Sequence, residues 1–310
     1  MTGMPSTPLM IEVRCNESTM RGANPNLPYS SAEIVREAVR SHEAGATMIH
    51  WHGRDAVTGA PDNDVALYRE VSEGIRAATD LITKPTLGYI SQTGVEDRVK
   101  HVRALADDPW LRFDAVPVDF GSMNIDTWDP QARRFSPGDG VYVNSRNDIE
   151  AVLGIFGGLS TFVTTVVWDV GQIRTALRFR EMGLAPTTTL RELVITGDAR
   201  PSGAGTNLLA LQAMLAELPP GEPWQLMCYG GDVLPLAAAA IVLGGHVAIG
   251  LGDHDYARFG TPHNGELVAR VVALAETIGR PVATPAQARE LLGMAPLPVP
   301  PGVAQPVGRS

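Results

Sequence analysis

Ala46-Thr47-Met48-Ile49-His50-Trp51-His52-Gly53-Arg54-Asp55, residues 46–55, is the stretch on which the fold turns. Its apolar first half reads as a buried strand from Ala46 to His50. Side chains along a strand alternate with period two, so His50 and His52 fall on one face just where the strand gives out. Two imidazoles on one face make a two-jawed metal clamp. Imidazole suits zinc and its first-row neighbours, and catalytic zinc takes three protein ligands and leaves a fourth position open. A pair of buried, hydrogen-bonded histidines is the alternative reading; the position at a strand's end, before Gly53-Arg54-Asp55, favours the clamp.

The same unit, a short apolar run followed by helical spacing, repeats on both sides of this stretch. Leu9 to Arg14 reads as strand one, and Ser30 with Glu33 forms a capping box for a helix that stops at Gly45. After the central stretch come a helix over Asp64 to Thr79, strand three at Leu81 to Thr86, and a helix from Val95 to Ala106. Strand four is Ala115 to Asp119, followed by a long polar excursion through Tyr142 and a helix from Arg146 to Ile155. Thr161 to Trp168 is an unbroken β-branched run, as a strand covered on both faces requires. Strands six, seven and eight are expected at Glu192 to Thr196, Trp224 to Cys228 and Val247 to Leu251, with helices over Gln172 to Glu181, Thr206 to Glu217, Leu234 to Leu243 and Asn264 to Ile278.

Eight such units predict a (β/α)8 TIM barrel, with a doubly wound open sheet as the structural alternative. The strand ends decide for the barrel. Asn16-Glu17, His50 and His52, Thr86, Asp119 with Asn124, Asp169, Asp198 and Asp253-His254 all stand where apolar strands give out, and a barrel gathers its catalytic groups at that pole. Thr284 then caps a short C-terminal helix ending at Gly293. The expected division is a barrel domain over residues 1–295 and a proline-rich tail over 296–310, extended or laid over a neighbouring subunit.

Composition sets outer bounds. The 310 residues are 44% hydrophobic and carry a net charge of −9, with no basic run to override it, which argues against a nucleic-acid partner. The longest apolar run, Ala237 to Leu243, is far shorter than the roughly 20 residues of a membrane span. With no signal pattern near Met1, a cytoplasmic location is the default expectation. Cys15 and Cys228 are too few for a disulfide framework and are expected as reduced, packed thiols.

Several segments together carry a family resemblance: Asn24-Pro25-Asn26-Leu27-Pro28, Glu43-Ala44-Gly45-Ala46, His50-x-His52-x-Arg54-Asp55, Gly244-Gly245-His246-Val247, Gly250-Leu251 and Arg280-Pro281-Val282-Ala283-Thr284-Pro285. The chain resembles the β-keto acid cleavage enzymes, whose founding activity is 3-keto-5-aminohexanoate cleavage. The resemblance implies a zinc-dependent barrel, a homo-oligomer, that takes a β-keto acid and acetyl-CoA and returns acetoacetate and a new acyl-CoA. It implies His50 and His52 as metal ligands, Glu17 as the acidic residue after strand one, and Thr86 as hydroxyl donor to the substrate oxyanion. It further implies Asp253 as general base and Asn124 as the asparagine beyond strand four. Two positions depart from the pattern: the family's strand-eight arginine is Ala248 here, and its third zinc ligand, a glutamate, is Gly252.

Strand alternation offers a replacement for that ligand, because residue 254 shares the face of residue 252; His254 is therefore expected as the third metal ligand, with a turn pairing to Asp255 as the rival. Splitting a carbon-carbon bond beside a ketone needs a polarised carbonyl, which a dication supplies, and a base, for which Asp253 and then Glu17 are the candidates. Acetyl-CoA brings phosphates, and the small-residue loop Arg200 to Thr206, with Gly203, Gly205 and Thr206 before a helix, is the expected anion site. Arg54 reads either as a carboxylate clamp or as a partner of Asp55 bracing a turn. Trp51, Tyr89, Trp168 and Tyr229 suggest an aromatic pocket wall. The competing functional readings are a metal-dependent lyase or hydrolase acting on an oxo acid without CoA, and a non-catalytic metabolite-binding barrel.

Overall fold

The structure is a computed structural model, and it describes residues 5–17, 19–88 and 94–298. Eight parallel strands make the barrel: β1 (Ile11–Arg14), β2 (Met48–Trp51), β3 (Ile82–Pro85), β4 (Ala115–Asp119), β5 (Phe162–Val167), β6 (Arg191–Thr196), β7 (Trp224–Tyr229) and β8 (His246–Ile249). They bond in the order β3-β2-β1-β8-β7-β6-β5-β4. β3 and β4, at the two ends of that order, lie side by side, so the ring is nearly closed.

The helices form the outer layer: α1 (Ser31–Glu43), α2 (Val65–Ala78), α3 (Val95–Leu105), α4 (Arg146–Gly157), α5 (Val170–Glu181), α6 (Leu208–Leu215), α7 (Leu234–Val242) and α8 (Asn264–Ile278). α8 packs on both α7 and α1, which joins the last unit to the first. Their starts are written in the sequence. Ser30 and Glu33 cap α1 reciprocally, and Asp64 and Asp169 accept the first free amides of α2 and α5. Among the described residues, no helix is long and apolar enough to cross a membrane.

Period-two alternation sorts each strand into an outer apolar face and an inner layered one. In β1, Ile11 and Val13 join the main apolar cluster under the helices, while Glu12 and Arg14 point into the barrel among other charges. Two layers stack inside below the mouth. Met10, Met48, Ile82, Ala115 and Leu190 form the lowest, sealed by Ala288 and Leu292 of a ninth helix, α9 (Pro285–Leu292), which Thr284 caps and Gly293 ends. Arg289 of α9 and Arg76 of α2 both pair with Asp114, just before β4, and lock that plug in place.

Above lies a charged layer: Lys84 Nζ reaches Glu12 Oε2 at 2.7 Å and pairs with Glu192, and Gln225 donates to Glu12 Oε2 at 2.9 Å. The bottom of the barrel is thus closed, and the chemistry is confined to the C-terminal mouth. The excursion after β4 forms two short antiparallel pairs, 123–124 with 141–142 and 127–129 with 134–136. It leans on the loop after β6 through Trp128 N donating to Ala199 O at 2.8 Å. Residues 299–310, most of the proline-rich tail, lie outside the described residues.

Candidate metal and active site

β2 ends as its alternation requires, with His50 and His52 both turned into the barrel mouth. Their Nε2 atoms face each other at 3.1 Å, and Nδ1 of His50 lies 3.0 Å from Lys84 O, a bond in which the ring nitrogen donates. A histidine whose far nitrogen is fixed on a carbonyl presents its Nε2 lone pair in one direction. Burial keeps both rings neutral: it pushes the His50 imidazole well below its ordinary range and that of His52 down to about 3. His52 is further held by Asn16, whose Oδ1 accepts from its amide at 2.9 Å and whose Nδ2 donates to its carbonyl at 3.1 Å.

Glu17, just beyond β1, completes a donor set. Ligand atoms of Glu17, His50 and His52 all lie within 4.8 Å of one another, and among the described residues no other trio of such groups does. Two neutral imidazoles and a carboxylate are a donor set that first-row dications accept, and the arrangement leaves a side open to the cavity. Burial raises the proton affinity of Glu17, yet the Arg14 guanidinium bonded to it outweighs burial and brings its pKa to about 2. It is a carboxylate at any working pH.

His254 does not join this set. β8 ends at Ile249, and residues 250–253 turn, so the alternation that would carry residue 254 to the inner face has already stopped. Its ring is half-buried, 3.8 Å from Asp255 Oδ1 and edge-on to Tyr256. Gly252 shows where its own missing side chain would go: a Cβ there would lie 2.9 Å from Glu17 Cβ and 3.0 Å from Arg14 O. The first strand fills that place.

Asp253 is buried behind Arg14, whose Nε is 3.4 Å from its Oδ2, and against the Glu17 carboxyl. Burial and the charge of Glu17 hold its proton affinity well above the ordinary range. Besides that ion pair, the Asp253 carboxyl is set against the Glu17 carboxylate, and a shared proton between the two further raises its proton affinity.

A cavity of about 690 Å³, counted out to its open mouth, lies over these groups. Arg14, Glu17, His50, His52 and Thr86 form one wall; Ile125, Val166, Trp168, Met227 and Tyr229 form an apolar one, with Asp119 and Tyr142 beside it. Thr86 Oγ1 is in that wall, donating to Gly88 O at 3.2 Å. Trp168 and Tyr229 are wall residues as expected, whereas Trp51 is buried outside it against Phe113, and Tyr89 lies outside the described residues.

Three expected substrate contacts fall elsewhere. Asn124 is exposed on its short strand, where alternation turns Met123 inward and Asn124 out. Arg54 is buried and donates to Asn16 O and Gly59 O, each at 2.9 Å, bracing the loop after β1 instead of facing the cavity. In the expected anion loop, α6 begins only at Leu208, and the Asn207 carboxamide accepts from Ala210 N at 2.9 Å, standing where an anion would. Gly203 precedes and Gly205 ends a short strand, Ala204–Gly205, paired with β6, and Thr206 donates to Thr196 O at 2.9 Å.

Arg14 was not among the expected site residues, although its signal is in the sequence. Ile11-Glu12-Val13-Arg14 alternates apolar and charged residues, and a buried strand that does so must point its charges inward at partners. Those partners are Glu12, Glu17, Glu192 and Asp253.

A parallel barrel with titratable and metal-binding side chains gathered at the C-terminal mouth defines a barrel enzyme. The family model for beta-keto acid cleavage enzymes matches residues 8–294. The chain is 31% identical over 283 residues to the 3-keto-5-aminohexanoate cleavage enzyme of Acetoanaerobium sticklandii, covering 90% of this chain and 96% of that one. It is 27% identical over 288 residues to the 3-dehydrocarnitine:acetyl-CoA trimethylamine transferase of Rhizobium meliloti, covering 86% and 90%. Apo ObcA shares the fold, with a TM-score of 0.68 at 16% identity over 87% of this chain and 66% of its own. The chain belongs to the β-keto acid cleavage enzyme family.

Proposed function

We propose that this enzyme exchanges acyl groups between a β-keto acid and acetyl-CoA, releasing acetoacetate and a new acyl-CoA, with a divalent metal, zinc or a first-row neighbour, held by Glu17, His50 and His52. The observation that carries the reading is the convergence of those three donors at the mouth of a cavity whose other wall is apolar. The printed activities of relatives, acetyl-CoA-dependent transfers among them, agree with it.

The balance is simple. The bond between the carboxymethyl group and the keto carbon breaks, the carboxymethyl carbon joins the acetyl group as acetoacetate, and the remaining acyl group leaves on the CoA sulfur. A bound dication supplies Lewis acidity toward the keto oxygen. Thr86 offers a hydroxyl that rotates from Gly88 O toward a developing oxyanion. Arg14 fixes Glu17 as a charged ligand and holds Asp253 in register behind it. Asp253, whose proton affinity burial raises, is the proton acceptor we assign, with Glu17 between it and the cavity.

Acetoacetate release from a panel of β-keto acids, with and without acetyl-CoA, tests the reading, together with elemental analysis of the purified protein. Release that requires acetyl-CoA, close to one metal ion per chain, and loss of that metal in a His50→Ala/His52→Ala double variant are expected. Release without acetyl-CoA would replace the transfer with a lyase or hydrolase reaction.

A further inference from the structure

The closed end of the barrel carries more positive charge than it balances. Two buried guanidinium groups share the carboxylate of Asp114, just before β4. Arg76 Nη2 lies 2.8 Å from Oδ2, while Arg289 Nη1 donates to Oδ1 at 2.9 Å and its Nη2 lies 2.8 Å from Oδ2. That carboxylate has little left to give, since Thr83 also donates to Oδ2, through its amide at 2.8 Å and its hydroxyl at 3.0 Å. Nε of Arg289, and Nε and Nη1 of Arg76, are buried without an acceptor among the described residues.

Arg112 adds a third guanidinium. It is half-buried two residues before Asp114, and no carboxylate lies within 4.0 Å of it among the described residues. Three guanidinium groups against one carboxylate leave an excess of two positive charges. Charge held away from water is matched by opposite charge, and no aspartate or glutamate follows Glu290 in the chain to supply it.

A cavity of about 640 Å³, counted out to its open mouth, adjoins these groups at the starts of β4 and β5, opposite the catalytic mouth. Arg112, Arg289, Ser160 and Thr161 line it with donors, and Met294 and Pro296, beyond α9, add apolar surface. Guanidinium forks match the oxygens of a phosphate two at a time, and hydroxyls complete such a shell.

We infer that this cavity is a second binding site, for a phosphate-type dianion held by Arg112 and Arg289 with Ser160 and Thr161 as hydroxyl donors. The excess of two charges selects a dianion over a monocarboxylate. The bound anion ties α9, which plugs the barrel, to the segments that enter β4 and β5. The site stands independently of the cleavage reading, because it uses none of the groups at the mouth.

Calorimetric titration with inorganic phosphate, at ionic strength held constant with chloride, tests this on the metal-loaded wild type, on Arg112→Gln and on the His50→Ala/His52→Ala double variant. The wild type should show saturable binding, and Arg112→Gln should weaken it roughly 10- to 100-fold, the range for a lost hydrogen bond between charged groups. Arg112→Lys, which keeps the charge, should recover part of that loss. The double variant, lacking the metal clamp, should bind phosphate at this site as tightly as the wild type, and phosphate should raise the thermal midpoint of both but barely that of Arg112→Gln. Methyl phosphate bound as tightly as phosphate would uphold the site and mark a phosphomonoester as its ligand; methyl phosphate bound far more weakly would uphold it for free phosphate. No saturable binding, an affinity unchanged in Arg112→Gln, loss of binding in the double variant, or acetate bound as tightly as phosphate would each overturn the inference.

Discussion

The backbone nitrogen of Glu17 stands in the space where Gly252 would carry a side chain, so residues 17 and 252 compete for one position at the barrel mouth. A side chain at residue 252 would meet the backbone and Cβ of Glu17 as they stand in this chain. Small residues on β8 and its loop, Ala248, Gly250 and Gly252, face the charged residues of β1 and its loop.

Gly252→Ala is therefore expected to push the Glu17 segment away. The added methyl meets backbone, which yields little, so a loss of about 1–3 kcal/mol in stability is expected, with metal content falling well below that of the wild type. Thermal unfolding and elemental analysis check this together. A variant as stable as the wild type and fully loaded with metal would remove Glu17 from the donor set.

Asp253→Asn keeps shape and burial but removes the proton acceptor we propose. It should retain metal and fold while kcat drops by at least the roughly 10²-fold that general base catalysis contributes. Steady-state kinetics on the metal-loaded variant decide the matter. An unchanged kcat would leave Asp253 as a partner of Arg14 alone.

Buried neutral histidines set the acid stability. Burial brings His246, at the start of β8, to about 3, and its Nδ1 accepts from Met10 N at 2.9 Å. The unfolded chain binds a proton near pH 6.5 and the folded one does not until far lower, so stability falls as pH drops below about 6.5. His246→Asn retains an acceptor for Met10 N without titrating. Between pH 7 and pH 5 the wild type should lose about 2 kcal/mol more than this variant, read from urea midpoints at each pH. Parallel losses would show that His246 is protonated in the fold.

Much of the fold was legible because local rules and tertiary need agree. Ala115–Asp119 and Asn264–Ile278 are found where apolar runs and helical spacing put them, and the Ser30 and Thr284 caps sit as read. His50 and His52 were legible for the same reason, since one strand's alternation places both. Glu17 and Arg14 form their cluster with groups on β2, β6 and the loop after β8, and such partnerships across strands follow from barrel closure, which no local pattern encodes. His254 failed where the strand stopped, and Asn124 failed because the excursion after β4 makes a small ladder of its own whose alternation turns it outward.

Acetyl transfer is tested most directly by incubating the metal-loaded enzyme with a β-keto acid from the panel that it cleaves and acetyl-CoA labelled isotopically in its acetyl group, then following the label by mass spectrometry. The account predicts label in the acetoacetate, in its methyl ketone half, and none in the acyl group of the new acyl-CoA. Unlabelled acetoacetate, or label carried into the acyl-CoA product, would contradict it.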